Sequence, residues 1–160
     1  MGRLLSWIMG ALLALPAAAG PRLEADQVLD MLQKIQGRWR SECRPADAGI
    51  NGSYQQTRLV VSYTHFTFST VVYANEKCLT ERSRWQAKYR FVLGSPVETR
   101  DGKMAFAIDF SSPEDPSGMG NLYPQNIVHY DSGVLHLGRA PALPSQERLQ
   151  NLDYALPFTR

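Results

Sequence analysis

Residues 84–91 read Arg84-Trp85-Gln86-Ala87-Lys88-Tyr89-Arg90-Phe91, an alternation with Trp85, Ala87, Tyr89 and Phe91 on one side and charged or amide residues on the other. A period of two belongs to a half-buried β-strand, because successive side chains of an extended chain point to opposite faces. Met104, Phe106, Ile108 and Phe110 repeat the pattern against Lys103, Ala105, Ala107 and Asp109, as do Phe66, Phe68, Thr70 and Val72 against their neighbours. Such strands suit an antiparallel sheet with one dry face and one wet face.

Working outward, turn signals punctuate the chain at Asn75-Glu76-Lys77, Gly94-Ser95-Pro96, Arg100-Asp101-Gly102-Lys103 and Asp131-Ser132-Gly133. Strands are expected near residues 38–43, 54–62, 65–73, 78–83, 85–93, 97–99, 104–110, 126–130, 134–138 and 154–159, some of them merging. Residues 23–35 have the other period: Leu23, Val28, Leu29, Met31, Leu32 and Ile35 recur at three and four, and Gly37 follows as a stop. The expected fold class is therefore all-β with one N-terminal helix. It is an antiparallel up-and-down barrel of about 8–10 strands, since no helical crossovers separate the strands.

The first residues have a different grammar. Arg3 precedes a twelve-residue apolar run from Leu4 to Leu15, broken only by Ser6 and Gly10, and Ala17-Ala18-Ala19 follows. Residues 1–19 are expected to be a signal peptide cleaved after Ala19, because a membrane-crossing helix needs about twenty apolar residues. No stable membrane span is expected. Residues 20–160 then form a single barrel domain, exported to a periplasm or secreted, and soluble after cleavage. With 16 basic and 15 acidic residues left, its net charge of +1 argues against a nucleic-acid partner. In an oxidising compartment Cys43 and Cys78 are expected to form the one disulfide.

Gly37-Arg38-Trp39, placed between a helix and a meander of short strands, resembles the G-x-W opening of the lipocalin and wider calycin barrels. That resemblance implies a tryptophan plugging the closed end, covered by an arginine from the last strands, here Arg139 or Arg160. A narrower resemblance spans residues 35–93. Gly37-Arg38-Trp39-Arg40-Ser41-Glu42-Cys43, then Thr57-Arg58, Phe66, Val72-Tyr73 and Cys78, is similar to the disulfide-bearing half-barrel of the adenomatosis-polyposis-coli-down-regulated family of Wnt antagonists. It implies an open, greasy interior for lipid.

The ligand-binding candidates are Trp39, Phe66, Phe68, Trp85, Tyr89, Met104, Phe106 and Ile108. They are bulky enough to line a pocket for a lipid, an acyl chain or a planar aromatic, and equally able to fill a core. Residues 111–125, rich in Pro, Gly and Ser, are a candidate gate. No nucleophile elbow or free thiol is present, and the carboxylates are scattered, so neither an enzyme nor a cofactor is expected.

His129 and His136 flank the turn at residues 131–133. A two-residue loop places them opposite one another, whereas a three-residue loop separates them, and no third metal ligand is indicated. Arg82, Arg84, Lys88 and Arg90, joined by Arg38 and Arg40, read as a solvated outer face or as a docking stripe. The expected function is an exported, non-enzymatic binding protein for a small apolar molecule. The alternative is a filled-core module that binds an envelope or extracellular protein.

Overall fold

The computed structural model describes residues 21–46, 52–111, 122–141 and 147–160. Helix α1 (Pro21–Ile35) precedes β1 (Gly37–Arg40), β2 (Arg44–Pro45), β3 (Tyr54–Val61), β4 (His65–Tyr73), β5 (Glu81–Glu98), β6 (Met104–Phe110), β7 (Gln125–Asp131) and β8 (Val134–Leu137). The strands form one eight-stranded antiparallel sheet in the order β1-β3-β4-β5-β6-β7-β8, with β2 paired to β3. The expected leader lies outside the described residues. No helix among the described residues is long and apolar enough to cross a membrane.

The sheet curls into a nearly closed barrel with one disulfide, a shape compatible with a lipocalin-like fold. Its seam falls between β8 and β1, and the last residues bridge it. Phe158 exchanges two backbone hydrogen bonds of 2.9 Å with Leu135 on β8, and Thr159 exchanges bonds of 2.8 and 2.9 Å with Arg40 on β1. The strand expected over residues 154–159 is thus reduced to isolated bridges. Pro157 has no N–H to extend a ladder.

β5 is a single strand of 18 residues where three shorter strands are expected. The Gly94-Ser95-Pro96 turn signal is a bulge: Leu93 pairs with Ile108 and Pro96 with Phe106, so β5 takes one residue more than β6. A Cβ on Gly94 would sit 3.2 Å from the Ala107 Cβ, which a side chain there would crowd. The long strand bends at this bulge and serves both halves of the barrel, its first half pairing with β4 and its second with β6.

The core follows the alternation. Leu59 and Val61 of β3, Phe66 of β4, Ala87, Tyr89 and Phe91 of β5, and Phe106, Ile108 and Phe110 of β6 are buried together with Trp39 and Phe158. Each fully buried large apolar side chain contributes about 1.5–3 kcal/mol. Helix α1 adds Met31 and Ile35 to this cluster, with Val28 and Leu32 half-buried against it.

On β6 the outer face is dry as well. Ala105 is buried with Ile127, Leu149 and Leu152 in a second cluster, because residues 147–152 lie across that face. Arg148 fixes the crossing by donating to the Asn126 carbonyl at 2.9 Å and to Asp109 at 2.7 Å.

Candidate functional site

Two ends of the barrel are chemically distinct. At the helix end, Trp39 is buried and its Nε1–H donates to the Ile35 carbonyl at 2.8 Å. The Arg160 guanidinium lies 4.7 Å from the centre of the indole, and its Nη2 donates to the carbonyls of Lys34 and Gln36 at 3.0 and 3.1 Å. Those are orphan acceptors at the C-terminus of α1, where a cation is favoured. Of the two arginines expected to cover the tryptophan, Arg160 does so. Tyr130 meets the indole edge-on at 5.9 Å.

Beside this plug several buried rings interlock. Phe66 meets Phe110 at 5.1 Å and Phe91 at 6.2 Å, and Tyr89 meets Phe110 at 5.9 Å, all three edge-to-face. The Tyr89 hydroxyl accepts a long hydrogen bond of 3.4 Å from the Leu122 amide, at the foot of the expected gate. Residues 112–121 of that gate lie outside the described residues.

At the end away from the helix, Phe68 and Trp85 share the inward face of β4 and β5 but are only half-buried. Phe68 pairs with Ala87 and Trp85 with Thr70, which makes the two rings diagonal neighbours. Near this end the Cys43–Cys78 disulfide, with Cα atoms 6.0 Å apart, ties the segment after β1 to the loop before β5. Cys78 has a positive φ of 50°. Asn75 orders its loop, the side-chain oxygen accepting from Leu79 N at 3.2 Å and the amide donating to Thr80 at 3.1 Å.

The eight candidate residues therefore divide three ways. Trp39, Phe66, Tyr89, Phe106 and Ile108 belong to one buried cluster, and Phe68 packs against it. Trp85 stands half-open on the same inward face. Met104 begins β6 with 57 % of its surface exposed, and its carbonyl takes up the His129 ring instead.

Ser132 and Gly133, with φ of 50° and 88°, form a two-residue turn, so His129 stands opposite His136 in register. Their rings stack 6.4 Å apart. Each Nδ1 is held by a backbone carbonyl, that of Met104 at 2.7 Å and that of Asp153 at 3.3 Å. Among the described residues no group of three His, Cys, Asp or Glu side chains is placed to hold a metal.

Beside this pair, Tyr154 packs edge-on to His136 at 5.2 Å and donates its hydroxyl to Asp101. The Thr99 hydroxyl also donates to Asp101, at 2.6 Å. These bonds, Thr99's first, hold the Asp101 carboxyl below the usual carboxylate range, and Asp101 in turn raises the Tyr154 phenol. A surface cleft of about 720 Å³ lies between Asp101, Tyr154 and residues 147–152.

The outward face of β5 bears Arg82, Arg84, Lys88 and Arg90, all exposed. Glu81 accepts two bonds from Arg84, at 3.0 and 2.8 Å, which lower the Glu81 carboxyl and raise the guanidinium. Two pairings here leave no local signal in the sequence. Arg58 donates to Tyr73, fifteen positions away, and Arg148 reaches Asn126 across twenty-two. No known family matches the chain, and neither does any curated protein or solved structure.

Proposed function

We propose that this chain is an exported, non-enzymatic binding protein that holds a small apolar molecule at the barrel end away from the helix. The observation that carries the reading is the half-buried pair Phe68 and Trp85, inward-facing and diagonal to one another above a filled floor. Large aromatic surface left partly open on an inward face is what a lipid, an acyl chain or a planar aromatic would cover. The floor, Trp39, Phe66, Tyr89, Phe106 and Ile108, stops the ligand from penetrating to the helix. Met104, opposite Glu98 at the other end of β5 from Trp85, lies outside this site.

The Trp39–Arg160 cover and the G-x-W opening support kinship of plan with the lipocalins. The resemblance of residues 35–93 to the Wnt-antagonist half-barrel supports a lipid as ligand. The leader read at residues 1–19 supports delivery to a periplasm or the extracellular space. Amino-terminal sequencing of the exported product, beginning at Gly20, checks that address.

The direct test is displacement of a fluorescent fatty acid, paired with a neutral planar dye so that charge plays no part. Saturable binding at one equivalent, lost in Trp85→Lys and Phe68→Ser while circular dichroism is unchanged, is the expected result. Undiminished binding in both folded variants, or none in the native chain, overturns it. A filled-core module for a protein partner is the second reading, favoured by the interlocked Phe66, Tyr89, Phe91 and Phe110 rings.

A further inference from the structure

On the outer face of the barrel, across β1, β3, β4 and β5, lies a concavity of about 530 Å³. Arg38 and Arg40 of β1, Arg58 of β3, Arg84 of β5 and Arg160 line it, with Ser69 of β4 among them, and no acidic side chain among the described residues does. Their placement follows from register. Arg40 stands directly opposite Arg58, Arg58 opposite Ser69, and Val71, two residues along β4, opposite Arg84.

Like charges directly opposite on an antiparallel pair are destabilising. Among the described residues no side chain lining the concavity offsets the Arg40–Arg58 juxtaposition, and Glu81, which bonds to Arg84, acts on Arg58 only through space. Arg84 has Glu81 as its partner. Arg58 also feels Glu81, but its bonds go to neutral groups: its Nε donates to Gln56 at 3.0 Å, its Nη2 to the Tyr73 hydroxyl, and its guanidinium lies 5.9 Å from the Tyr73 ring centre. That fixes the plane of the guanidinium through Nε and Nη2, and Nη1 takes part in neither bond. Arg160 is likewise spent through one nitrogen, on Lys34 and Gln36, and is pinned over Trp39. Beneath them Ser69 is buried, its hydroxyl 3.3 Å from Gln86.

We propose that this concavity is a binding site for a phosphate- or pyrophosphate-bearing anion, bridged between Arg40 and Arg58 with Arg38 and Arg84 at its sides. Planar guanidinium groups match tetrahedral oxyanions with paired N–H donors, and they remain charged at every physiological pH. A dianion between Arg40 and Arg58 turns their repulsion into two attractions. Because the site is on the outer face, it is independent of the interior ligand proposed above. The same chemistry is offered by a soluble phosphate ester or by the phosphomonoester headgroup of a lipid.

Calorimetric titration of the full chain with pyrophosphate in about 0.15 M salt, the physiological screening regime, tests the site. One saturable equivalent is expected, weakened roughly tenfold or more in Arg38→Gln/Arg40→Gln and in Arg84→Gln, since charge-assisted bonds are lost. The unliganded Arg38→Gln/Arg40→Gln variant should melt no lower than the native chain, because removing Arg40 relieves the like-charge pair. No saturable heat, an affinity in both variants equal to that of the native chain, or an effect reproduced by sodium chloride at equal ionic strength overturns the proposal.

Flotation with phosphatidylcholine vesicles, with and without phosphatidic acid, separates the two sources. Flotation that needs phosphatidic acid and is competed by pyrophosphate assigns the site to a headgroup, whereas pyrophosphate binding without flotation assigns it to a soluble ester. Flotation indifferent to pyrophosphate and to both substitutions counts against the site.

Discussion

Arg160 covers Trp39: the guanidinium is 4.7 Å from the indole centre, while its Nη2 caps the carbonyls of Lys34 and Gln36. One side chain thus joins the C-terminus of the helix, the first strand and the end of the chain. Replacing it tests whether the plug depends on that join. Arg160→Gln is expected to cost about 1 kcal/mol, the scale of an exposed cation–π contact, as read from urea denaturation, with a red shift of the Trp39 emission. Arg139→Gln should leave that emission unchanged.

Gly138 is where β8 leaves the sheet, and its amide donates to the Ile127 carbonyl at 3.0 Å and to the Asn126 side chain at 2.8 Å. A Cβ there would come within 2.7 Å of Asn126 Oδ1 and 2.8 and 2.9 Å of Leu149 side-chain atoms. Gly138→Ala is expected to destabilise the chain by about 1–3 kcal/mol, as overpacking does. Thermal melts of Gly138→Ala and Gly133→Ala distinguish packing from backbone strain. The second has nothing within 4 Å of its new Cβ and suffers only from a φ of +88°.

The disulfide spans 35 positions. In the chain-entropy model a loop of that length is worth about 3–4 kcal/mol. Cys43→Ser/Cys78→Ser should lose stability on that scale. Hydrogen exchange should accelerate first in residues 74–80, which would be left to the Asn75 bonds and the Ala74–Thr80 backbone bond, while the β4–β5 ladder stays protected.

The Thr99–Asp101–Tyr154 link gives a pH signature. Asp101 is held below the usual carboxylate range, so its contribution is fully present above that range and is lost as pH falls through the depressed value. Tyr154 is raised, so its contribution is present below the usual phenol range and is lost as pH rises through the raised value. The stability gap between native chain and Tyr154→Phe is therefore expected to be widest between about pH 5 and 9. It should narrow on both sides. A gap that stays constant from acid to alkali means the hydroxyl does not sense Asp101.

Local chemistry made much of this architecture legible. The alternation Trp85, Ala87, Tyr89, Phe91 located a strand and its inward face, because the period of two is a property of the extended backbone itself. Cys43 and Cys78 had only one another. What stayed hidden was set by distant segments. Ala105 and Ala107 read as a wet face until residues 147–152 are laid over them, and nothing near residue 105 announces that cover. Asp131-Ser132-Gly133 suits a two- or a three-residue loop, so the meeting of His129 with His136 waits on backbone dihedrals. Alternation also gives a face and not a depth. Phe66 and Phe68 look alike in the sequence, yet one is sealed in the floor and the other half-open.

Phe158 and Thr159 close the seam late in folding, because their partners on β8 and β1 lie far from them or from each other in the sequence. The backbone bonds between Arg40 and Thr159 join positions almost as far apart as the described chain allows. Until Phe158 and Thr159 are docked, β1 and β8 each present a bare edge on this side, open to strands of other molecules. A folding intermediate in which Phe158 and Thr159 have not yet docked is thus the species most open to association, and the barrel becomes safe from its neighbours only once they close the seam.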